Sequence, residues 1–366
     1  MKIAIFHNFM DNIGGAEKVG LTLARELKAD FYSTNIDEEK IKNMGFEDIK
    51  LKSIGKVPIN APFRHQAVLW RFRRLNLKDK YDFYIIEGDW AMSGAVNNRP
   101  NLWYVHSPIR EIWDLYEDTR QNIVPWFARG IFDLWVRGNR YLNRKYVKHV
   151  DKIVCNSLNT QKRVKKYLKR DAVVINPPIE TNQFHYKKTG DYWLSVNRLI
   201  NHKRVDLQMK TFRKIPEEKL IVVGDYEKSK HFQKYAKYIQ RIKPDNVVLL
   251  KSVPFDELIE LYANCKGLIA TAKEEDFGMT VVEAMASGKP VMASNEGGYR
   301  ETVIDGVTGK LIDDINAEKL VEAIKEIGRN PEKYKNACLK QAQKFDTKIF
   351  IKKIKEVIED KSAYEK

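Results

Sequence analysis

The chain has 366 residues, room for two domains of ordinary size, and its 43% hydrophobic and 31% charged residues describe a globular chain, not a disordered one. No apolar run approaches the ~18–20 residues that span a bilayer, and Ile3 to Phe6 behind Lys2 is too short for the apolar region of a signal peptide. Cys155, Cys265 and Cys338 are too few and too scattered for a disulfide framework or a metal knuckle, which suggests a reduced, intracellular protein; the net charge of +16 suits an anionic partner, whether nucleotide, nucleic acid or membrane.

Taken in order, the chain alternates short apolar runs with helical periodicities. Lys2–Phe6 reads as a buried strand. A polar loop then runs to Gly14–Gly15, and a helix follows from Ala16 to Leu27 with Val19, Leu23 and Leu27 on one face. Glycines in such a turn let the backbone approach a phosphate or sugar. Further strands are expected at Asp30–Ser33, Ile49–Leu51, Phe83–Glu87, Leu102–Val105, Ile153–Asn156 and Ala172–Ile175. Strands separated by helical patterns imply a parallel, doubly wound sheet. Within this half, residues 64–75 interleave arginines with Val68, Leu69, Trp70 and Phe72, and Gln121–Val150 is long, basic and aromatic. The stripe Ile131, Leu134, Trp135 and Leu142 suits packing on a sheet. The tryptophans and cations of the same segment suit an interfacial surface facing anionic lipid headgroups.

Asn176–Pro177–Pro178 reads as a rigid linker, after which a second α/β series begins. Its strands are expected at Tyr192–Asn197, Lys219–Gly224, Asn246–Leu250, Gly267–Ala270, Val291–Ala293 and, after a hairpin-like turn at Gly306 to Gly309, Lys310–Ile312. Arg198 and Lys203 follow the first of these, at the start of a helix. The stretch KEEDFGMTVVEAMASGKPVMAS, residues 273–294, places Glu275 in a loop at a strand's carboxyl end and Glu283 in the next helix. In open α/β sheets that crevice binds ligands. The N–H groups of Phe277, Gly278 and Met279 face forward at the helix start, ready for an anion or a hydroxyl.

E-D-F-G-x4-E-A-x-A-x-G around Glu275 and Glu283 resembles the signature of retaining glycosyltransferases with the GT-B fold, in the large glycosyltransferase family 4 (glycosyl transferases group 1). The segment YVHSPIREIWD, residues 104–114, is similar to the H-[ST]-P-x-R-x-x-W-D of its GDP-mannose-dependent mannosyltransferase branch. Arg198 to Asp206 is similar to its G-R-L-x-x-x-K segment, with Asn197 where glycine is common.

The resemblance implies two Rossmann-like domains facing across a deep cleft, residues 1–177 on the acceptor side and 178–346 on the nucleotide-sugar side, with a helix in 347–366 crossing back. It places Gly14 and Gly15 near the donor diphosphate, His106 near the sugar's 6-hydroxyl and Val253 near the nucleobase. Glu275 with the amides of Phe277, Gly278 and Met279 would hold the 3- and 4-hydroxyls, and Glu283 the ribose diol. Arg198 and Lys203 would neutralise the departing diphosphate, as preorganised cations can. No Asp-x-Asp occurs in the chain, so no metal and no cofactor is expected. The expected partners are a nucleotide-diphosphate sugar (GDP-mannose first, a UDP-sugar as the alternative), a glycan or lipid-linked acceptor, and the anionic inner face of the cell membrane, touched peripherally by a cytoplasmic protein. Nucleic-acid binding would also account for the charge, but no binding module is recognisable. A dinucleotide oxidoreductase would account for the α/β pattern, but Gly14–Gly15 is not G-x-G-x-x-G.

Overall fold

The structure, a computed structural model, describes residues 1–11, 14–42, 44–60, 63–224 and 230–360, with the backbone alone at 230–232. Residues 12 and 13 of the glycine loop, Asp225 behind Gly224 and the last six positions of the crossover segment lie outside the described residues. The chain forms two compact units, one from Met1–Asn176 joined by the segment that starts at Ile351, the other from Pro177–Phe350.

The first unit is built on β1 (Ile3–Phe9), β2 (Asp30–Thr34), β3 (Leu51–Ser53), β4 (Phe83–Ile86), β5 (Asn101–Val105), β6 (Lys152–Cys155) and β7 (Val173–Val174). They form one sheet in the order β3-β2-β1-β4-β5-β6-β7, parallel in every pairing. Phe83 to Ile86 and Leu102 to Val105 are buried along their whole length, as strands covered on both faces must be. The third strand begins two residues later than its apolar pair Ile49–Leu51 suggested, because only from Leu51 onward does the chain pair with β2.

In the second unit β8 (Tyr192–Val196), β9 (Lys219–Val223), β10 (Val247–Leu250), β11 (Leu268–Ala270), β12 (Val291–Ser294) and β13 (Gly309–Ile312) form a sheet ordered β10-β9-β8-β11-β12-β13. The turn before β13 resembles a hairpin locally, with the Gly306 N–H donating to the Gly309 carbonyl at 2.8 Å. It is not one, since β13 pairs in parallel with β12. Both sheets reverse their winding once, at β1/β4 and at β8/β11, and the crevices outside the strands' carboxyl ends open there.

The helix Thr347–Glu359 ends the described chain. Ile351, Ile354 and Ile358 are buried in it, and Lys152, the first residue of β6, donates to the carbonyls of Val357 (3.0 Å) and Asp360 (2.6 Å). Among the described residues no helix is long and apolar enough to cross a membrane.

The helix Arg129–Tyr146 keeps half of the expected stripe, with Trp135 and Leu142 packed against the core. Ile131 and Leu134 are exposed at 76% and 71%, while Val136, Asn139, Asn143 and Tyr146 are buried. The inward asparagines are satisfied: Asn139 accepts from Gln66 (2.8 Å) and Asn143 from the Trp113 indole (3.3 Å). Those bonds offset the burial of polar groups and turn apolar residues outward. Trp126, Phe127 and Tyr141 join the exposed set.

Candidate active site

At the β8/β11 switch point the site is assembled by interlocking loops. The chain leaving β8 reaches Arg204, whose φ of +52° turns it into the helix Val205–Phe212. Thr271, at the end of β11, donates its hydroxyl to the Lys203 carbonyl (2.8 Å), and the Lys273 N–H donates to that of His202 (2.7 Å). Arg204 forks onto Glu296 (2.8 and 3.2 Å), and Glu296 also accepts from the Glu274 N–H at 3.2 Å. The Gly298 N–H closes the set on the Glu275 carbonyl at 2.8 Å.

This frame sets Lys203 Nζ 2.6 Å from Glu275 Oε2, with the two side chains 15% and 16% exposed. A pair so placed is screened less than a surface pair and still meets solvent. Two glycines make it possible. Gly297 has φ +55°, and a Cβ there would lie 2.4 Å from the Glu275 carbonyl oxygen; Gly278 has φ +91°, and its Cβ would lie 2.6 Å from the Tyr299 ring. Neither position admits another residue without strain. Burial, with the Glu275 charge behind it, holds the Tyr299 phenol well above its ordinary value, so it stays neutral.

Gly278 caps the helix Met279–Ala286. Glu283 lies just past its first turn, 7% exposed, accepting from the Tyr262 hydroxyl at 2.9 Å. Burial and then the Glu283 charge keep that phenol protonated as well. The Phe277 ring is buried and meets Phe345 edge-on at 5.4 Å, so only its backbone faces outward chemistry. Met279 is half-buried against the core. Arg198 is exposed in the β8 loop, and Val253, beyond β10, is half-buried against the same core. Of the expected residues of this unit, Lys203 and Glu275 are thus in direct contact, Phe277 to Met279 follow Glu275 in the chain, and Glu283 stands deeper.

In the first unit Gly14 caps the helix Gly15–Leu27, and its N–H donates to Glu17 Oε2 at 2.8 Å, half of a capping box. The other oxygen of Glu17 lies 3.3 Å from Nε2 of the buried His7. Nδ1 of His7 lies 3.7 Å from Glu87, and Glu87 lies 3.6 Å from Nε2 of His106. Burial alone would lower the His7 pKa, but the two carboxylates outweigh it and lift it to about 9. Glu17 is pushed below its ordinary value because the bond from His7 and its charge outweigh burial. The His106 backbone is fixed by Asn156, which donates to its carbonyl at 2.7 Å. Asp114 accepts both Nε and Nη2 of Arg110 (3.0 and 2.8 Å), which ties the H-S-P-x-R-x-x-W-D segment to itself.

His7, Glu17 and Glu87 escaped the sequence reading as site residues, as did Arg204, Thr271 and Glu296. Their common signal is position alone: each stands at the carboxyl end of an apolar strand or in the loop or helix that follows.

Residues 178–345 match the family described as Glycosyl transferases group 1. An uncharacterized glycosyltransferase of Methanocaldococcus jannaschii is 30% identical over 193 residues, 53% of this chain and 54% of that protein, so the match spans about half the length of that relative. An alpha-1,3/1,6-mannosyltransferase of Dictyostelium discoideum is 28% identical over 413 aligned residues, covering 96% of this chain and 95% of that one. Among solved structures, Anabaena HepE in complex with UDP-glucose matches with a TM-score of 0.78 at 18% identity, over 98% of this chain and 99% of that one.

Proposed function

We propose that the chain, whose residues 178–345 match the group 1 glycosyltransferases and whose fold is GT-B, moves a hexose from a nucleotide-diphosphate sugar onto a glycan or lipid-linked acceptor, retaining anomeric configuration and using no divalent metal. The observation that carries this reading is the Lys203–Glu275 pair, held at the switch point with Phe277 to Met279 following Glu275 in the chain. Glu275 accepts from sugar hydroxyls, and the amides donate to the sugar's oxygens. Lys203, already within reach of Glu275, and Arg198 on the same loop offset the two negative charges of the leaving diphosphate as the glycosidic bond stretches. Glu283, beside the Tyr262 hydroxyl, accepts from the ribose diol. His106 of the first unit serves the sugar's 6-hydroxyl.

GDP-mannose is the favoured donor, supported by the H-S-P-x-R-x-x-W-D segment and by the full-length likeness to a mannosyltransferase. A UDP-sugar is the alternative, since the hydroxyls Glu275 reads are common to many hexoses. Thermal-shift titration with GDP, UDP, ADP and dTDP, then with their sugars, decides, because a ligand that binds only the folded state raises its melting temperature. The expected result is a larger shift with GDP than with the rest, and GDP release from GDP-mannose in the presence of chelator. No shift with any nucleotide would sink the reading.

The lipid-linked acceptor agrees with the outward face of Arg129–Tyr146. Ile131, Leu134 and Tyr141 stand exposed there with Arg137, Arg144 and Lys145, and Trp126 and Phe127 just before the helix and Lys148 just after it are exposed too. Aromatic and aliphatic side chains entering the headgroup layer while cations meet anionic lipid would hold the protein peripherally. Liposome sedimentation tests it: binding to anionic vesicles is expected at low salt and is weakened by salt and by Trp126→Ser with Ile131→Ser.

A further inference from the structure

Glu87 is 1% exposed, and neither of its carboxylate oxygens finds a hydrogen-bond partner among the described residues. His7 Nδ1 and His106 Nε2 are equally buried and equally unbonded, and these are the atoms that face it, at 3.7 and 3.6 Å. A buried carboxylate without donors is costly, and a fold gains nothing by keeping one for packing alone. The chain makes room for it nonetheless. Gly20 sits inside the helix Gly15–Leu27, where glycine costs roughly 1 kcal/mol against alanine, and a Cβ there would lie 2.0 Å from Glu87 Oε2. The cluster stands at the β1/β4 switch point, where a ligand would meet this unit.

We infer that Glu87 is a positioning residue for His106: backed by a doubly protonated His7, it fixes His106 in the tautomer protonated at Nε2, so that Nδ1 is the nitrogen that accepts from the substrate hydroxyl. The chain of donors runs one way. His7 lies between two carboxylates, Glu17 at 3.3 Å and Glu87 at 3.7 Å, and serves both only with a proton on each nitrogen. Glu87 then has one oxygen left, and a carboxylate can only accept, so the nitrogen facing it carries a proton. Among the described residues Tyr104 also faces the cluster, edge-on to His106 at 5.2 Å. Its hydroxyl donates away, to the Ile175 carbonyl at 2.9 Å, and burial together with the Glu87 charge keeps it neutral. It supplies no proton to this array. A histidine so fixed selects substrates that present a hydroxyl donor at that point and does not pair with a bare acceptor. This rests on the reading that His106 faces the transferred sugar.

The test is long-range 1H–15N correlation spectroscopy of the imidazoles in the full-length protein at pH 7.5, with His106 and His7 assigned by loss of signal in His106→Gln and His7→Gln. The wild type is expected to show His106 protonated at Nε2 and His7 protonated at both nitrogens. In Glu87→Gln the amide oxygen stays with His7 and its NH2 turns to His106, which must then accept at Nε2. The His106 proton moves to Nδ1, and kcat for sugar transfer falls about 10- to 100-fold while the nucleotide-induced thermal shift is unchanged. An Nδ1-protonated His106 in the wild type would overturn the inference even if the variant failed to fold, and so would a Glu87→Gln enzyme with wild-type kcat. A wild type with the stated tautomers but no transfer from any donor overturns the transferase reading alone.

Discussion

The two units share one plan, a parallel sheet with a single reversal and chemistry at the carboxyl ends, yet they furnish it in opposite ways. The second unit sets a lysine against a glutamate at 2.6 Å, part exposed, and braces them with an arginine fork and left-handed turns. The first buries a carboxylate between two imidazoles and leaves its oxygens unbonded among the described residues. One arrangement holds charge ready for an incoming anion. The other sets a carboxylate against the His106 ring, which it orients on the inference drawn above. Topology therefore says where the chemistry sits but not of which kind, and each half can be broken separately.

The largest expected effect is from Glu275→Ala, which should lower sugar transfer about 100-fold or more while leaving the first unit's melting unchanged; transfer near the wild-type rate would remove the second unit's cluster from the reaction. Gly278→Ala comes next. It forces a side chain into positive φ and against the Tyr299 ring, with an expected cost of about 1–3 kcal/mol and a loss of nucleotide-induced stabilisation, both readable by denaturant melting with and without nucleotide. Arg198→Ala and Lys203→Ala should each lower kcat about tenfold with a smaller change in acceptor KM, separating leaving-group stabilisation from acceptor binding.

The smallest effect belongs to the first unit and depends on pH. The His7 pKa in the folded protein, about 9, stands above its ordinary 6.5, so the proton His7 keeps stabilises the fold fully below pH 6.5. That contribution fades as pH rises and is gone above 9. The melting temperature should fall more steeply between pH 6.5 and 9.5 in the wild type than in His7→Gln. Parallel pH curves for the two proteins would mean that His7 carries no extra proton.

How much of this could be read beforehand follows the same division. The second site was legible because backbone constraint writes itself into residue identity: only glycine serves at positions 278 and 297, and Phe277 and Glu283 stand at fixed offsets from Glu275 on one loop and helix. The first site draws His7, Glu17, Glu87 and His106 from separate segments, and no local spacing joins them. His106 was expected from its segment, but its neighbours needed the sheet order, which sets β1 against β4 and β4 against β5. The strands were legible almost to the residue because they are unbroken apolar runs. The Arg129–Tyr146 helix was legible only in part: Trp135 and Leu142 pack inward, but periodicity marks an apolar face without saying how much of it protein covers, and here buried asparagines took inner positions.

The last helix has a consequence for how the protein is made. Its isoleucines and the carbonyls that Lys152 grips group with the first unit, although they are translated after the whole of the second. On the ribosome the opening half of the polypeptide must therefore stay unfinished, with part of its apolar surface uncovered, until about 180 further residues have been added, which at ordinary elongation speeds is some ten seconds or more of exposure to chaperones and proteases.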